Sequence, residues 1–306
     1  SSINTSIGQV LSKTVPGFGQ STENLTEYGQ TLRGRNFLTL IDGVPQTNTL
    51  NNNYRARTGI GADAVERIEV VRGATAAYGF GAPGGLVNII TKKPGPEDRS
   101  YSVGAGIKFS ESDLTDSLAY STNLGTYGAE GNVDYLLNGS FESTGSSFTA
   151  DGERRPPDSY GTQGGTDDIR NVNLLGKVGW TQDVHRLTLS TNYYTYEQDS
   201  DWAGTVGGGS IANEISATPS RGDLNTKKPG IDNLTLNAVY DREDLFGSDL
   251  NLQAYYNQNT TTFTRTEFLN FQYDQYETES KKYGARATVD TPLGFEAVPR
   301  SEEHTS

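Results

Sequence analysis

The chain has 306 residues, of which 33% are hydrophobic, with Gly 36 and Tyr 17, no Cys and no Met, and its formal net charge at pH 7 is -13. That charge, without any dense Lys or Arg run, excludes nucleic acid as a partner, because phosphate binding needs a basic surface. The lack of Cys excludes a disulfide framework, a thiolate nucleophile and a Cys-ligated metal, and no apolar run approaches the roughly 18 residues of a membrane helix. Little apolar content beside much Gly, Tyr, Asn, Thr and Ser fits many strands with one polar face. In lipid, a barrel of such strands is the alternative to helices that satisfies its backbone.

In chain order, residues 1 to 96 read as a first unit. The runs FLTLI (Phe37 to Ile41), RIEVV (Arg67 to Val71) and LVNIITKKP (Leu86 to Pro94) are short, apolar and bounded by Gly, Pro and Asp, which predicts the buried strands of a mixed sheet. Within this unit Gly79, Gly81 and Gly84 spell GFGAPG, formally a dinucleotide-binding fingerprint. That motif must open a helix and be followed by an acid about 20 residues later. Here Pro83 and a β-branched run follow, and Gly104 stands where the acid should be, so the glycines read as a tight turn. The unit closes at KKPGPED, whose prolines cannot continue a central strand.

From Arg99 the period changes to strict alternation. Tyr101, Val103, Ala105, Ile107 and Phe109 share one strand face, and Ser102, Gly104, Gly106 and Lys108 share the other. The same dyad recurs in segments beginning at Val133, Val172, Leu187, Leu234, Leu250 and Tyr283, giving about eight strands where plugged barrels have about 22. Residues 99 to 299 are therefore expected to form the first part of a β-barrel wall. Tyr193, Tyr194, Tyr196, Tyr255 and Tyr256 gather toward segment ends and are read as an aromatic girdle. Long polar connections (Glu153 to Thr166, Ser200 to Pro229, Arg265 to Glu279) alternate with short ones (Thr181 to His185, Arg242 to Asp249), as in outer-membrane barrels. Taken alone, the alternation also fits a soluble β-sandwich.

Little in the chain suggests catalysis. His185, in a short turn, is the only His apart from His304, so neither a His relay nor a His-ligated zinc can be assembled, and the carboxylates read as solvated loop charges. Arg221, Gly222 and Asp223 match an adhesion tripeptide of a length expected by chance. The tail RSEEHTS (300 to 306) resembles a translated sequencing adapter and carries no functional weight. With no Met and no leader, the chain reads as an internal segment.

The segment ERIEVVRGATAAYGFGAPGGLVNIITKKP, preceded by LRGRNFLTLIDGVPQ, resembles the plug of TonB-dependent outer-membrane receptors. The run TEYGQTLRGRNFLTLIDGVPQ is especially similar to receptors for ferric aerobactin, and segments from Asp168 to Asp201 and Asp241 to Phe263 share their arrangement more loosely. The resemblance implies a small mixed α/β plug followed by an antiparallel transmembrane β-barrel, with only part of that barrel in this chain. It implies an energy-coupled importer of a ferric siderophore of hydroxamate and citrate type, rather than an enzyme. The expected setting is the bacterial outer membrane and its lipid, with the TonB, ExbB and ExbD complex engaged through a segment that this chain lacks. No cofactor or protein-bound metal is expected, and iron enters only as cargo. A passive porin, a surface adhesin, or a receptor for cobalamin or haem are the alternatives, haem being disfavoured by the lack of a His pair.

In such receptors the outward plug loops touch the ligand. On the matching positions these are Arg35, Asn36, Asn48, Tyr54, Arg55 and Arg57, where the planar guanidinium suits an anionic chelate and Tyr adds apolar contact with a polar tip. Arg33, Glu66, Glu69 and Arg72, beside or within the sheet segments, are expected to seat the plug against the wall through ion pairs.

Overall fold

The computed structural model describes residues 6–21, 24, 26–27, 29–46, 59–73, 84–94, 99–157, 165–206, 217–222, 225–268 and 271–292. Helix α1 (Ile7–Thr14) starts from a capping box: the Ser6 hydroxyl accepts the Gln9 N–H at 3.1 Å, and the Gln9 side chain accepts the Ser6 N–H. Ser6 also donates to the buried Glu27 carboxylate at 2.7 Å, which sets a negative charge against the positive end of the helix. Ile7 and Leu11 face the core.

Beside the helix lies a four-stranded sheet of β1 (Leu38–Ile41), β2 (Val44–Pro45), β3 (Val65–Arg72) and β4 (Gly85–Thr91), in the order β2-β1-β4-β3. β1 runs parallel to β4 and the other pairs are antiparallel, so the sheet is mixed, as expected. All four β1 residues are buried, which is why that run is apolar throughout rather than alternating. A strand follows Gly84 directly, so the helix that a dinucleotide turn requires is absent there.

The second unit is an antiparallel sheet of eight strands. β5 (Ser100–Lys108), β6 (Ala119–Glu130), β7 (Val133–Ser143), β8 (Ile169–Gln182) and β9 (His185–Gln198) follow one another. The hairpin of β10 (Trp202–Val206) and β11 (Ala217–Arg221) comes next, then β12 (Gly230–Leu245) and β13 (Ser248–Thr262). A hairpin of β14 (Thr266–Phe268) and β15 (Phe271–Tyr273) precedes β16 (Glu277–Asp290), which pairs with β13. The two small hairpins correct the expectation of plain polar loops: Ser200 to Pro229 and Arg265 to Glu279 each contain one.

Two-residue turns join Glu130 to Val133, Gln182 to His185 and Leu245 to Ser248, all at one end of the wall. Phe246 and Gly247 both take positive φ, 55° and 80°, as a tight hairpin compatible with strand twist requires. The long connections all lie at the other end. Alternation sorts the wall's two faces: Val103, Leu137, Leu174, Leu189, Leu236 and Leu252 are exposed on the outer face, whereas Leu136 and Leu175 point inward into the plug core with Phe37, Val87 and Ile89.

Period two also corrects the tyrosine reading. Tyr193 stays on the outer face, but Tyr194 and Tyr196 have the opposite parity to the outward Leu189 and are buried against Ile169 and Ile231. Tyr255 likewise faces inward, against Gly284. Neighbouring tyrosines on a strand cannot share a face.

Replacing Leu236 by Arg in the full-length protein should destabilise folding from a bilayer by about 2 to 4 kcal/mol, because a cation would enter hydrocarbon. A folding equilibrium unchanged by Leu236→Arg would show that this face does not meet lipid.

Candidate functional site

Asp42 and Gly43 form the turn between β1 and β2, both at positive φ (47° and 76°), the pairing that Asp-Gly tolerates best. The Asp42 carboxylate accepts from the Thr91 N–H at 2.9 Å and the Thr91 hydroxyl at 2.6 Å, locking the turn onto the end of β4. Lys177, on the inner face of β8, reaches the same carboxylate at 3.0 Å and the Thr91 carbonyl at 3.4 Å, and its side chain is only 6% exposed. This ion pair joins plug to wall.

Around it the wall offers mostly neutral groups to the plug backbone. Gln253 on β13 donates to the Asp42 carbonyl at 2.9 Å, and Arg286 on β16 donates to Gln253. Lys282 donates to the Pro45 carbonyl at 3.2 Å. Asn173 accepts the Gly61 N–H at 3.0 Å, and Asn192 donates to the Gly59 carbonyl at 2.9 Å. Each of these two buried amides is paired on one side only, since the Asn173 Nδ2 and the Asn192 Oδ1 find no hydrogen-bond partner among the described residues.

A second cluster organises the long-connection end. The Arg154 guanidinium lies over the Trp202 ring at 4.4 Å and the Phe148 ring at 5.0 Å, and pairs with Asp116. Asp168 accepts from Ser146 at 3.1 Å and Ser200 at 2.5 Å, and Asp167 accepts from the Ser147 hydroxyl at 2.7 Å. Burial pushes both carboxyls above the ordinary aspartate value, while the serine hydrogen bonds oppose the rise. Asp116 before β6, Arg154 and Asp168 before β8, and Ser200 and Trp202 after β9 are thereby tied into one rim.

Arg33 and Gly34 form the tip of a tight turn at positive φ, between Leu32 and Arg35. Arg35 is exposed on that turn, just before β1, and the Asn36 carbonyl accepts the Gly84 N–H at 2.8 Å. β1 descends from there to Asp42, which lies level with Lys177 near the short turns. Arg35 therefore stands toward the long connections. Glu66 and Glu69 pair with Arg67 of their own exposed strand, at 3.0 and 2.8 Å, and Arg72 is exposed at the strand's end. Asn48, Tyr54, Arg55 and Arg57 lie outside the described residues.

The plug-to-wall residues Asp42, Lys177, Gln253, Asn192 and Asn233 were not singled out in the sequence. Two signals pointed to them: the DG pair between apolar runs, and a lone Lys with the inward parity of β8. Among the described residues, no group of three or more His, Asp or Glu could hold a metal ion.

Residues 2–86 match the TonB-dependent receptor plug domain. The chain is 29% identical over 293 residues to the ferric aerobactin receptor of Klebsiella pneumoniae, covering 92% of this chain and 39% of that receptor. It is 34% identical over 257 residues to the rhizobactin receptor of Rhizobium meliloti, covering 81% of this chain and 34% of the relative. In fold it is similar to the ferric enterobactin receptor of Pseudomonas aeruginosa (TM-score 0.63, 22% identity, 95% of this chain and 45% of that one). It is likewise similar to the FrpB iron transporter of Neisseria meningitidis (TM-score 0.66, 18% identity, 95% and 44%). These relatives are named as receptors or transporters, not enzymes, in keeping with the sequence reading. The chain spans less than half of each.

Lys177→Met would leave the Asp42 carboxylate facing the wall without its cation. Breaking a buried pair in this way costs about 3 to 5 kcal/mol, less where hydrogen bonds such as those from Thr91 remain. Hydrogen exchange in the full-length protein should show β4 amides, Thr91 first, opening faster, with the wall strands unchanged and partial recovery on adding Asp42→Asn. Unaltered exchange in β4 would deny the pair its seating role.

Proposed function

We propose, from the premise that this chain belongs to the TonB-dependent outer-membrane receptors, that it forms the plug and part of the wall of a receptor importing a ferric siderophore. The citrate and hydroxamate type, as in aerobactin, is the favoured cargo. The observation that carries this reading is a small plug sheet hydrogen-bonded to the inner face of a wall whose outer face is apolar, with Arg35 toward the long connections. A passive porin would have no such domain packed against its wall. The identities to the aerobactin and rhizobactin receptors support the choice of ligand.

The chemistry follows from the residues. An anionic chelate entering from the long-connection end meets Arg35, and we assign Asn36, Asn48, Tyr54, Arg55 and Arg57 to the same contact surface. Iron arrives and leaves inside its chelate, so the protein needs no metal ligands of its own. Energy from the TonB, ExbB and ExbD complex then draws on the plug. Among the described residues the seam it must break consists chiefly of neutral amide hydrogen bonds, which water can replace at each step, with the Asp42–Lys177 ion pair and the Lys282 ammonium on the Pro45 carbonyl as the charged ties. Arg33, Glu66, Glu69 and Arg72 belong, on this reading, to the plug's seating and release.

In the full-length receptor, Arg55→Ala combined with Arg57→Ala should weaken binding of ferric aerobactin at least tenfold, since a factor of ten needs only about 1.4 kcal/mol and each charge-assisted hydrogen bond supplies about 1.5 to 3. A direct titration with unchanged affinity would move the site to the wall's long connections.

A further inference from the structure

Three cations of the wall's inner face stand behind one plug turn. Asp42 takes Lys177 of β8 at 3.0 Å, and the Pro45 carbonyl accepts from Lys282 of β16 at 3.2 Å. Gly43, between them, packs so closely on Arg286 of β16 that a Cβ there would stand 2.7 Å from a guanidinium nitrogen. Residues 42–45 thus cover all three charges at once.

The strand ladders fix their heights. Lys282 lies level with Asn257, Thr235 and Asn192, one row of inward residues nearer the long connections than Lys177. Arg286, level with Gln253, lies one row nearer the short turns than Lys177. A row is two residues, about 7 Å along a strand, so the three cations descend the inner face in even steps. One row lower still, Arg186 is paired with Asp134 at 2.7 Å, and the run of plug-covered cations ends there.

Neutral side chains would seat this turn equally well. Gln253 holds the Asp42 carbonyl without a charge, and a cation costs more to bring into the seam than an amide does. Seating therefore does not account for the positive charge. Its use arises once the turn is drawn away, when the three side chains face an open lumen.

We propose that Lys282, Lys177 and Arg286 form a ladder of wall sites for the anionic ferric chelate, shut off by residues 42–45 until the plug is drawn aside. The ladder rests on the proposed import of such a chelate and adds to it a route along the wall. Carboxylate and hydroxamate oxygens suit ammonium and guanidinium donors. Several weak sites a short step apart let a bound anion pass on, whereas one strong site would hold it.

The test measures uptake of radioiron-labelled ferric aerobactin by cells making the full-length receptor, beside direct titration of the same receptor. Lys177 is left intact, since its loss would strand Asp42. Lys282→Gln combined with Arg286→Gln should lower the maximal uptake rate about tenfold, with affinity and KM within about twofold of wild type. Arg286→Lys, which keeps the charge, should run near the wild-type rate. Seating alone predicts the opposite sign, because fewer seam bonds make the plug easier to draw and leave the maximal rate equal or higher. A double variant as fast as wild type, or Arg286→Lys as slow as Arg286→Gln, overturns the ladder. If the double variant does not reach the outer membrane as a folded barrel, each single Gln variant replaces it and should lose about threefold, as independent effects would. A wild type that does not bind ferric aerobactin refutes the proposed cargo, and the ladder with it; a wild type that imports it no faster than the double variant overturns the ladder alone.

Discussion

The carboxylate of Asp42 ties local turn, plug sheet and wall together. Its residue makes the positive-φ turn after β1, its two oxygens take the backbone and hydroxyl of Thr91 at the end of β4, and the same group receives Lys177 from the wall. A buried Lys is costly without a partner, and a buried carboxylate equally so. Each charge therefore requires the other to be in place, and that requirement sets the plug's depth against β8. An apolar pair at this position would add stability but could slide, because dispersion contacts have no fixed partner.

Most of the remaining seam is made from Asn and Gln side chains aimed at plug carbonyls and N–H groups. This choice has a physical consequence. Packed apolar contacts give up their full area when separated, whereas amide hydrogen bonds exchange for water at a small net cost. Among the described residues, Leu136 and Leu175, beside the partly buried Tyr127, are the wall's members of the plug core cluster, so an apolar patch adds to these replaceable bonds. A domain that the proposed cycle must move benefits from that balance. The rim differs in kind, since Arg154 between Trp202 and Phe148 makes contacts that favour fixed geometry over release.

Much of the fold was legible because two periodicities meet at Arg99. Runs such as Phe37 to Ile41 are apolar throughout because both faces of β1 are buried, and segments such as Tyr101 to Phe109 alternate because only one wall face is apolar. The tyrosines misled because clustering was read in place of parity: Tyr194 and Tyr196 follow the strand's geometry, not the company of Tyr193. The hairpins β10–β11 and β14–β15 were hidden by polar composition, since short exposed pairs need no apolar signal. The seam was the least legible part. Asp42 and Lys177 lie far apart in sequence, and an inward Asn on a barrel strand reads equally as a residue facing water or one facing a plug.

Register is what converts the wall's simple alternation into a docking surface. Sliding β8 by one residue against its neighbours would turn Lys177 and Asn173 toward lipid and bring Leu174 and Val178 inward, so a single slip would both bury charge in hydrocarbon and remove the partner of Asp42. The same slip in β12 would exchange Asn233 for Leu234, leaving the Gly59 carbonyl with one donor fewer. Outer apolar face and inner polar face therefore enforce each other. The bilayer selects the parity, and once the parity is set the strand order places Lys177 and Gln253 against Asp42, and Asn192, Asn233 and Asn257 against Gln46 and Gly59.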